Sequence, residues 1–329
     1  MANNERIRLL AVVGPTASGK SALAVALAER LGGEIVSCDS MQIYRRMDVG
    51  TAKPSAEERR GIAHHLIDAV EPQESFSCAD YVTAAREIIA QIASRGALPI
   101  LCGGTGLYLD ALLRGGGFEE TEGDPALREK LFALAREQGN HALHARLAAV
   151  DPESAAAIHE NNIKRVVRAL EIFETTGMTK TQADLQSRQA DSPYDATVIG
   201  LRYEDREVLY ARIDKRVDAM LADGLLEETR SLLVEGVFEQ NATAAQAIGY
   251  KELLGHLRGE QSLAEATEVL KRATRRYAKR QLTWFGAKDY VKWIDALENG
   301  SILPPDALLE RAIACFREDE FSPGRAVEP

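Results

Sequence analysis

The sequence predicts an α/β fold: a parallel β-sheet with crossover helices, into which an all-helical domain is inserted. Three observations lead to this prediction. Over residues 7–104, apolar strand-like runs alternate with helical segments, which is typical of a parallel sheet. A glycine-rich loop joins the first of these runs to the first helical segment. Residues 118–192 have only helical periodicity, and a further strand-like run follows them.

The amino-terminal part of the chain contains clear strand and helix signals. The first helix ends at Gly32 and Gly33, because glycine favours the left-handed turn that closes a helix. The second helix opens with Ser77 and Asp80, which have the spacing of an N-terminal capping box. The predicted strands are 7–14, 34–38, 64–70 and 97–104, and the predicted helices are 21–32 and 77–96.

The pattern changes at three consecutive glycines, residues 115–117. After the helical block, residues 195–203 are again strand-like, and helical segments then extend to about residue 285. A helical block between strands is best explained as an insertion into a single α/β domain. We therefore predict a discontinuous core of residues 1–117 and 193–316 with C-terminal helices, a helical insertion of residues 118–192, and a flexible tail of residues 317–329.

The composition indicates a soluble globular protein, with 45% hydrophobic and 27% charged residues among 329. Apolar runs such as residues 9–13 are far too short to cross a bilayer, and the amino terminus lacks the residue order of a signal peptide. We expect a cytoplasmic protein that is monomeric. We expect neither association with a membrane nor an obligate protein partner. The net charge of −10 argues mildly against a nucleic-acid partner, unless the basic residues cluster.

Residues 14–21 read GPTASGKS, the G-x-x-x-x-G-K-[ST] pattern of a phosphate-binding loop, and they indicate a P-loop NTPase-like core. The two glycines let backbone N–H groups turn towards an anion, and the helix that follows adds its positive end. The lysine supplies a charge, and the serine hydroxyl can reach Mg²⁺. The candidate phosphate-binding residues are Gly14, Pro15, Thr16, Ala17, Ser18, Gly19, Lys20 and Ser21.

A nucleotide hydrolase normally has a strand that ends in a carboxylate for Mg²⁺. The strand at 97–104 ends instead in Gly-Gly-Thr-Gly. Asp39, which follows the second strand, is the strand-end carboxylate nearest the loop in sequence. Like charges repel, so Asp39 either holds Mg²⁺, takes a proton from a nucleophile, or simply caps a turn. The loop is therefore better suited to a diphosphate that departs as a leaving group than to a triphosphate that is hydrolysed.

The segment 271–285 concentrates basic residues on a predicted helix. Arg272, Arg276 and Arg280 align at helical spacing, and so do the residues at 271, 275 and 279, with aromatic residues between them. Such rows suit a nucleic-acid backbone with unstacked bases; the alternative is a solvated face, or arginines paired with acids. A smaller cluster is formed by Lys164, Arg165 and Arg168. Arg212 and Arg216 also share a helix face, but the sequence does not tell which way that face points.

Together these stretches resemble the tRNA dimethylallyltransferase family, of bacterial type. The resemblance runs in order from about residue 9 to residue 286. Its most diagnostic parts are DSMQIYRRMDVGTAKP at 39–54 and GGTGLY at 103–108. The other parts are GPTASGKS, HHLIDAVEPQESFS, IHENNIKRVVRALEIFETTG, AIGYKE and RRYAKRQLTWF. One departure is Glu160, where the family often has proline.

The resemblance implies an activity. A dimethylallyl group passes from dimethylallyl diphosphate to the exocyclic amine of the adenosine just 3′ of the anticodon, in tRNAs that read codons beginning with U. Diphosphate leaves, Mg²⁺ at Ser21 assists, and no zinc is expected. By resemblance, Asp39 accepts or orients the amine proton, Thr105 lies near the diphosphate and the base, and Arg212 helps to hold the diphosphate.

The resemblance also implies contacts with the tRNA anticodon stem-loop, which the helical insertion would grasp from the other side. The residues carried over are Asp39, Ser40, Met41, Gln42, Thr105, Arg128, Lys164, Arg165, Arg168, Gln246, Gly249, Tyr250, Lys251, Arg276, Lys279, Arg280, Gln281 and Trp284.

Three other functions fit parts of the sequence. A P-loop small-molecule kinase would use Asp39 as a base, but it leaves the basic rows and the insertion unexplained. A prenyltransferase acting on free AMP would not need about 120 residues of helix after the last strand identified. A non-catalytic RNA-binding protein would leave the phosphate loop idle.

Overall fold

The computed structural model describes residues 6–114, 124–189 and 191–320. The chain divides into two compact units. One contains the residues up to Leu113 and from Tyr194 onward, and the other runs from Arg114 to Pro193. The predicted boundary between residues 117 and 118 falls outside the described residues.

The larger unit is built, in the described part of the chain, on a six-stranded sheet with the order β3-β2-β4-β1-β5-β6. All neighbouring strands pair in parallel. The predicted α/β class with a parallel sheet is therefore confirmed. The strands are β1 Ile7–Val13, β2 Gly33–Ser37, β3 His64–His65, β4 Leu98–Gly103, β5 Tyr194–Arg202 and β6 Val291–Asp295. A separate antiparallel pair joins β7 Leu297–Glu298 to β8 Ser301–Ile302.

Of the helices before residue 114, the first three connect the first four strands and the fourth follows β4. They are α1 Lys20–Leu31, α2 Ala56–Arg59, α3 Cys78–Ser94 and α4 Gly106–Leu113. The cap of α1 is Gly32, in the left-handed conformation. The predicted capping box of α3 is present, because Ser77 and Asp80 each accept a bond from the other's backbone N–H.

The smaller unit is helical throughout its described residues. Its helices are α5 Pro125–Gln138, α6 Asn140–Val150, α7 Pro152–Ala157, α8 Ile163–Thr176 and α9 Lys180–Gln189. Its core is an apolar cluster that includes Leu131, Leu147, Val166 and Leu170. This unit therefore has a hydrophobic core of its own.

After β5 the larger unit is mainly helical. Its remaining helices are α10 Arg206–Ala222, α11 Leu225–Val234, α12 Val237–Gln240, a 3₁₀ turn Ala244–Gln246, α13 Lys251–Leu257, α14 Leu263–Gly286 and α15 Pro305–Glu320. No helix in the described ranges is both long and apolar enough to cross a membrane.

The two faces of the sheet carry separate cores because successive strand side chains point to opposite faces. Leu10 and Val12 of β1 belong to the core formed with α1 and α15. Leu9 and Val13 belong to a larger core formed with α3, α4 and the helices after β5. The loops that follow β1, β2 and β4 consequently meet at one edge, where parallel sheets bind their ligands.

Three sequence-based assignments need correction. The third predicted strand shortens to β3, because Leu66 and Asp68 have positive φ angles of 57° and 56° that end the extended backbone. The strand β6 was missed because it is an edge strand, with a mixed burial pattern rather than a continuous apolar run. Helix α15 extends into the segment predicted as a tail, since Ile313 and Phe316 anchor it in the core. Residues 321–329 lie outside the described residues.

Candidate active site

A cavity of about 290 Å³ opens at the carboxyl edge of the sheet, within the larger unit. The phosphate loop contributes Thr16, Lys20 and Ser21 to its wall, and Asp39 follows β2. From the helices after β5, its lining residues include Arg216, Gln246, Lys251, Tyr277, Arg280 and Gln281. A broader groove of about 1140 Å³ lies along the outer side of the loop and shares Lys20, Ser21 and Arg216 with the cavity.

The phosphate loop is held from outside by contacts to its backbone. Arg212 Nε donates to the carbonyl of Ala17 at 2.9 Å, and the hydroxyl of Tyr203 donates to the carbonyl of Ser18 at 3.2 Å. The backbone N–H of Thr16 donates to Gln281 Oε1 at 2.9 Å. This N–H is therefore occupied by protein, and the loop offers an anion its other groups. Arg212 acts on the loop's shape through its carbonyl contact.

Two basic side chains, those of Lys20 and Arg216, line the cavity. Burial lowers the pKa of Lys20, and the nearby Arg216 lowers it too, whereas Asp39 acts in the other direction. Burial likewise lowers the pKa of Arg216, while Asp39 favours its charged form. Two cations that repel each other in a partly desolvated space are stabilised by an anion between them. The site is therefore electrostatically suited to a phosphate-bearing ligand.

Asp39 lies at the turn after β2 and has two roles. Its Oδ1 accepts from the backbone N–H groups of Met41, at 2.9 Å, and Gln42, at 3.4 Å. The same residue lines the cavity. Asp39 therefore both closes the turn after β2 and borders the cavity.

Thr105 joins the turn after β4 to the turn of Asp39. Its Oγ1 accepts from the backbone N–H of Ser40 at 3.0 Å, and its own N–H donates to the carbonyl of Cys38 at 3.2 Å. Tyr277 of α14 interacts with the Thr105 side chain, and burial raises the pKa of this tyrosine. Thr105 thus connects two residues of the cavity wall, Asp39 through its turn and Tyr277 through its side chain.

The loop at residues 48–52 forms another part of the wall, and a glutamate outside the cavity positions it. The carboxylate of Glu228 accepts from the backbone N–H groups of residues 48, 49 and 50 at 2.8–3.0 Å. It also accepts from the hydroxyl of Tyr250 at 2.7 Å. A Cβ on Gly50 would meet the Tyr250 ring at 2.4 Å, so only glycine allows this approach.

Three residues that the resemblance identifies as tRNA contacts also make contacts within the protein. Tyr250 is completely buried, and its side chain supports the loop at Gly50; its contact with tRNA stays a prediction. Gln281 is 5% exposed and binds protein groups at both ends of its amide. The backbone N–H of Gly249 donates to the carboxylate of buried Glu252 at 3.0 Å. In contrast, Gln246 and Lys251 are exposed and line the cavity.

The basic residues of α14 separate into two groups with different environments. Lys271 Nζ lies 2.7 Å from Asp218, and Arg275 lies 2.5 Å from Asp214, both on α10. This part of the basic segment stabilises helix packing. The exposed side chains in the other part are Arg272, Arg276, Lys279 and Arg280, and none forms an ion pair within the described residues. Trp284 is half-buried, with Lys288 Nζ 5.6 Å from its ring.

The helical unit contains a buried acid that holds two of the candidate arginines. Glu171 is fully buried and lies 2.7 Å from both Arg128 and Arg168. These arginines therefore stabilise the unit as well as presenting their exposed portions. Lys164 and Arg165 are exposed.

The oxygen atoms at the cavity suit a magnesium ion. Ser21 and Asp39 both line it, and Mg²⁺ prefers oxygen ligands while keeping several waters and substrate phosphates. Among the described residues, no group of three or more His, Cys, Asp or Glu side chains is arranged as a metal cage. An ion held mainly by phosphate and water, with Ser21, fits this donor set.

The chain matches a known protein family over most of its length. The sequence model for IPP transferase matches residues 42–288 of the chain. The chain belongs to the IPP transferase family. The resemblance found in the motifs is thereby confirmed.

Similar curated proteins are named tRNA dimethylallyltransferase. One from Thermoanaerobacter sp. (strain X514) is 49% identical over 288 residues, covering 87% of this chain and 91% of that protein. Another, from Bacillus velezensis, is 50% identical over 292 residues, covering 89% of this chain and 92% of that protein. These proteins match the chain over nearly their whole length.

Solved structures agree with this assignment. The tRNA isopentenylpyrophosphate transferase of Bacillus halodurans has a TM-score of 0.70 at 44% identity, with 96% of this chain and 99% of that chain covered. A eukaryotic dimethylallyltransferase acting on tRNA has a TM-score of 0.80 at 28% identity, with coverages of 98% and 81%. The described residues have the fold of these transferases.

Sequence reasoning left Arg216, Tyr277 and Glu228 out of the candidate site. The only local signal was the spacing of Arg216, four residues after Arg212, which places them on one helix face. Tyr277 lies between basic residues, and Glu228 is an ordinary acid on a helix, so neither has a distinctive pattern. Their roles depend on contacts between distant parts of the chain.

The position of Arg216 yields a prediction for ligand binding. Arg216→Met should weaken magnesium pyrophosphate binding by about tenfold or more, because a hydrogen bond to a charged group contributes roughly 1.5–3 kcal/mol. Isothermal titration calorimetry measures the affinity directly. Arg206→Met removes the same charge from an exposed position of α10 and should bind normally. Equal affinities for the two variants would exclude Arg216 from the anion site.

Proposed function

We propose that the protein transfers a dimethylallyl group from dimethylallyl diphosphate to the exocyclic amine of an adenosine in tRNA. The adenosine is the one immediately 3′ of the anticodon, in tRNAs that read codons beginning with U. The observation that carries the proposal is the joining, in one cavity, of a phosphate loop, a pair of cations and Asp39, whose turn is held by Thr105. The names of its relatives support the same activity.

The reaction exchanges one bond at carbon. The amine nitrogen attacks the allylic carbon that carries the diphosphate, and the bond from that carbon to oxygen breaks. The electron pair leaves with the diphosphate, and the amine proton passes to Asp39 or is oriented by it. Because the amine of adenine is a weak nucleophile, holding it against the allylic carbon supplies much of the acceleration.

Lys20 and Arg216 stabilise the charge that develops on the departing diphosphate, because their own charges are partly desolvated and already in place. A magnesium ion held by the Ser21 hydroxyl and the phosphate oxygens would supply additional positive charge there. Arg212 maintains the loop through the carbonyl of Ala17. These contacts favour breakage at carbon with diphosphate as the leaving group.

The adenosine must leave the anticodon-loop stack to enter a cavity of this kind. We propose that the exposed side chains of Arg276, Lys279 and Arg280 bind the backbone of the RNA near the cavity. Gln246 and Lys251 are available at the cavity wall, and Lys164 and Arg165 are available on the helical unit. The helical unit is proposed to contact the anticodon stem-loop. The monomeric state and the cytoplasmic location remain predictions.

The kinase alternative is not favoured, because the strand β4 ends in Gly103 and leads to Gly104 and Thr105 rather than to a carboxylate for nucleotide-bound magnesium. The exposed row on α14 also has no task in a small-molecule kinase. Transfer to free AMP leaves the same row without a function.

One incubation tests the proposal. Labelled dimethylallyl diphosphate is mixed with magnesium and unmodified tRNA, and label in RNA is measured against parallel reactions with free AMP or with ATP. Label should enter tRNA alone, at the adenosine next to the anticodon, without ATP consumption. Label that appears only in AMP, or ATP turnover without label transfer, would reject the proposed activity.

The role of Asp39 is tested by Asp39→Asn. The amide oxygen can still accept from Met41 and Gln42, so the turn should persist, but the basic group is lost. We expect turnover to fall by about a hundredfold or more, while tRNA affinity remains. The control Asp195→Asn alters an exposed carboxylate and should have normal turnover. Near-normal turnover of Asp39→Asn would remove this residue from the proton transfer.

The basic row is tested by the double variant Arg276→Glu with Arg280→Glu. Binding of an anticodon stem-loop should weaken, and the slope of affinity against salt concentration should decrease by roughly two units as two phosphate contacts are lost. Fluorescence anisotropy across a salt series measures both quantities. Charge reversal at Arg206 and Arg258, which are also exposed, should preserve the slope. A slope unchanged in the Arg276/Arg280 variant would place the row outside the RNA interface.

A further inference from the structure

One side chain on the inner face of α14 contacts both the phosphate loop and the turn after β4. Gln281 Oε1 accepts from the N–H of Thr16 at 2.9 Å, and Gln281 Nε2 donates to the carbonyl of Gly104 at 3.0 Å. Gln281 is 5% exposed. One planar amide therefore joins the loop proposed to hold the diphosphate to the turn that carries Thr105.

The fit of this amide leaves no space for a larger residue at the turn. A Cβ on Gly104 would lie 2.0 Å from Gln281 Nε2. The amide uses its acceptor on one partner and its donor on the other, which fixes its orientation. One helical turn earlier, Tyr277 interacts with Thr105. The inner face of α14 therefore contacts both the phosphate loop and the turn that carries Thr105.

The same helix also carries the exposed side chains of Arg276, Lys279 and Arg280, of which Arg280 lines the cavity as well. In the residues that the structure describes, no acid pairs with them, unlike Lys271 and Arg275. An RNA bound there would restrain the helix from outside. A diphosphate in the phosphate loop would restrain it from inside, through Thr16 and Gln281.

We propose that Gln281 is a positioning residue that couples binding of the diphosphate to binding of the RNA. The inference rests on the proposed function and adds to it a mechanism by which the two substrates assist each other. A ligand that orders the Thr16 peptide also orders Gln281, α14 and the turn at Gly104, so the second ligand loses less conformational freedom. The coupling is reciprocal: each ligand raises the affinity of the other by the same factor.

The experiment measures this factor. Fluorescence anisotropy gives the affinity for a labelled anticodon stem-loop with and without saturating magnesium pyrophosphate. Calorimetry gives the affinity for pyrophosphate with and without the RNA. The unmodified chain should have a coupling factor of about ten, within the usual range for linked sites. Both measurements should return the same value.

Two variants remove the link in different ways. Gln281→Met keeps the length of the side chain but lacks both amide groups. Gly104→Ala leaves residue 281 in place, and its Cβ displaces the amide nitrogen. In both, the coupling factor should fall below about two, a larger change than the change in affinity for either ligand alone. Thr267→Ala, which removes only a hydroxyl contact within α14 to the carbonyl of Leu263, should retain the full factor.

The outcomes distinguish the inference from the proposed function. Full coupling in both Gln281→Met and Gly104→Ala overturns the inference, and so does an equal loss of both single affinities, which indicates a merely structural role. An unmodified chain that binds both ligands without coupling overturns the inference and leaves the proposed function intact. A chain that binds neither ligand refutes both.

Discussion

Two like charges, those of Lys20 and Arg216, face one partly desolvated cavity, and the rest of the site is arranged around that constraint. Burial and mutual repulsion both lower the pKa of Lys20. Two like charges stay close together in a folded protein only when other contacts hold the residues that carry them in place. Lys20 begins α1 directly after the loop, and Arg216 lies on α10, one turn after the arginine that binds the carbonyl of Ala17. The pair is therefore prepared for an anion before one arrives.

Pairing between acidic and basic side chains explains how a chain of net charge −10 presents a basic surface. Asp214 and Asp218 of α10 take up Arg275 and Lys271, and this packing orients α14. The remaining basic side chains are thereby directed outward together. Glu171 acts comparably in the helical unit, where it fixes Arg128 and Arg168. Acids in this protein thus position basic groups, so the overall charge says little about the partner.

The sequence predicts the parts of the site that depend on local geometry. The phosphate loop is eight consecutive residues between a strand and a helix, and the place of Asp39 follows from the end of β2. The contacts that hold these parts together are not local. Thr16 and Gln281 are 265 residues apart, and Asp48 and Glu228 are 180 apart. No periodicity or spacing encodes such pairs, which is why neither these contacts of Gln281 nor those of Glu228 were predicted.

The edge strand β6 was missed for a related physical reason. An edge strand buries only part of its surface, and β6 gains its place from pairing with β5 rather than from its own apolar content. Helix α15 packs on the face opposite the cavity, with α1. The phosphate loop and α1 are consequently supported from behind by α15 and in front by α14. A loop fixed on both sides can keep a nest of N–H groups open towards solvent, so rigidity of the loop and access to its ligand are obtained together.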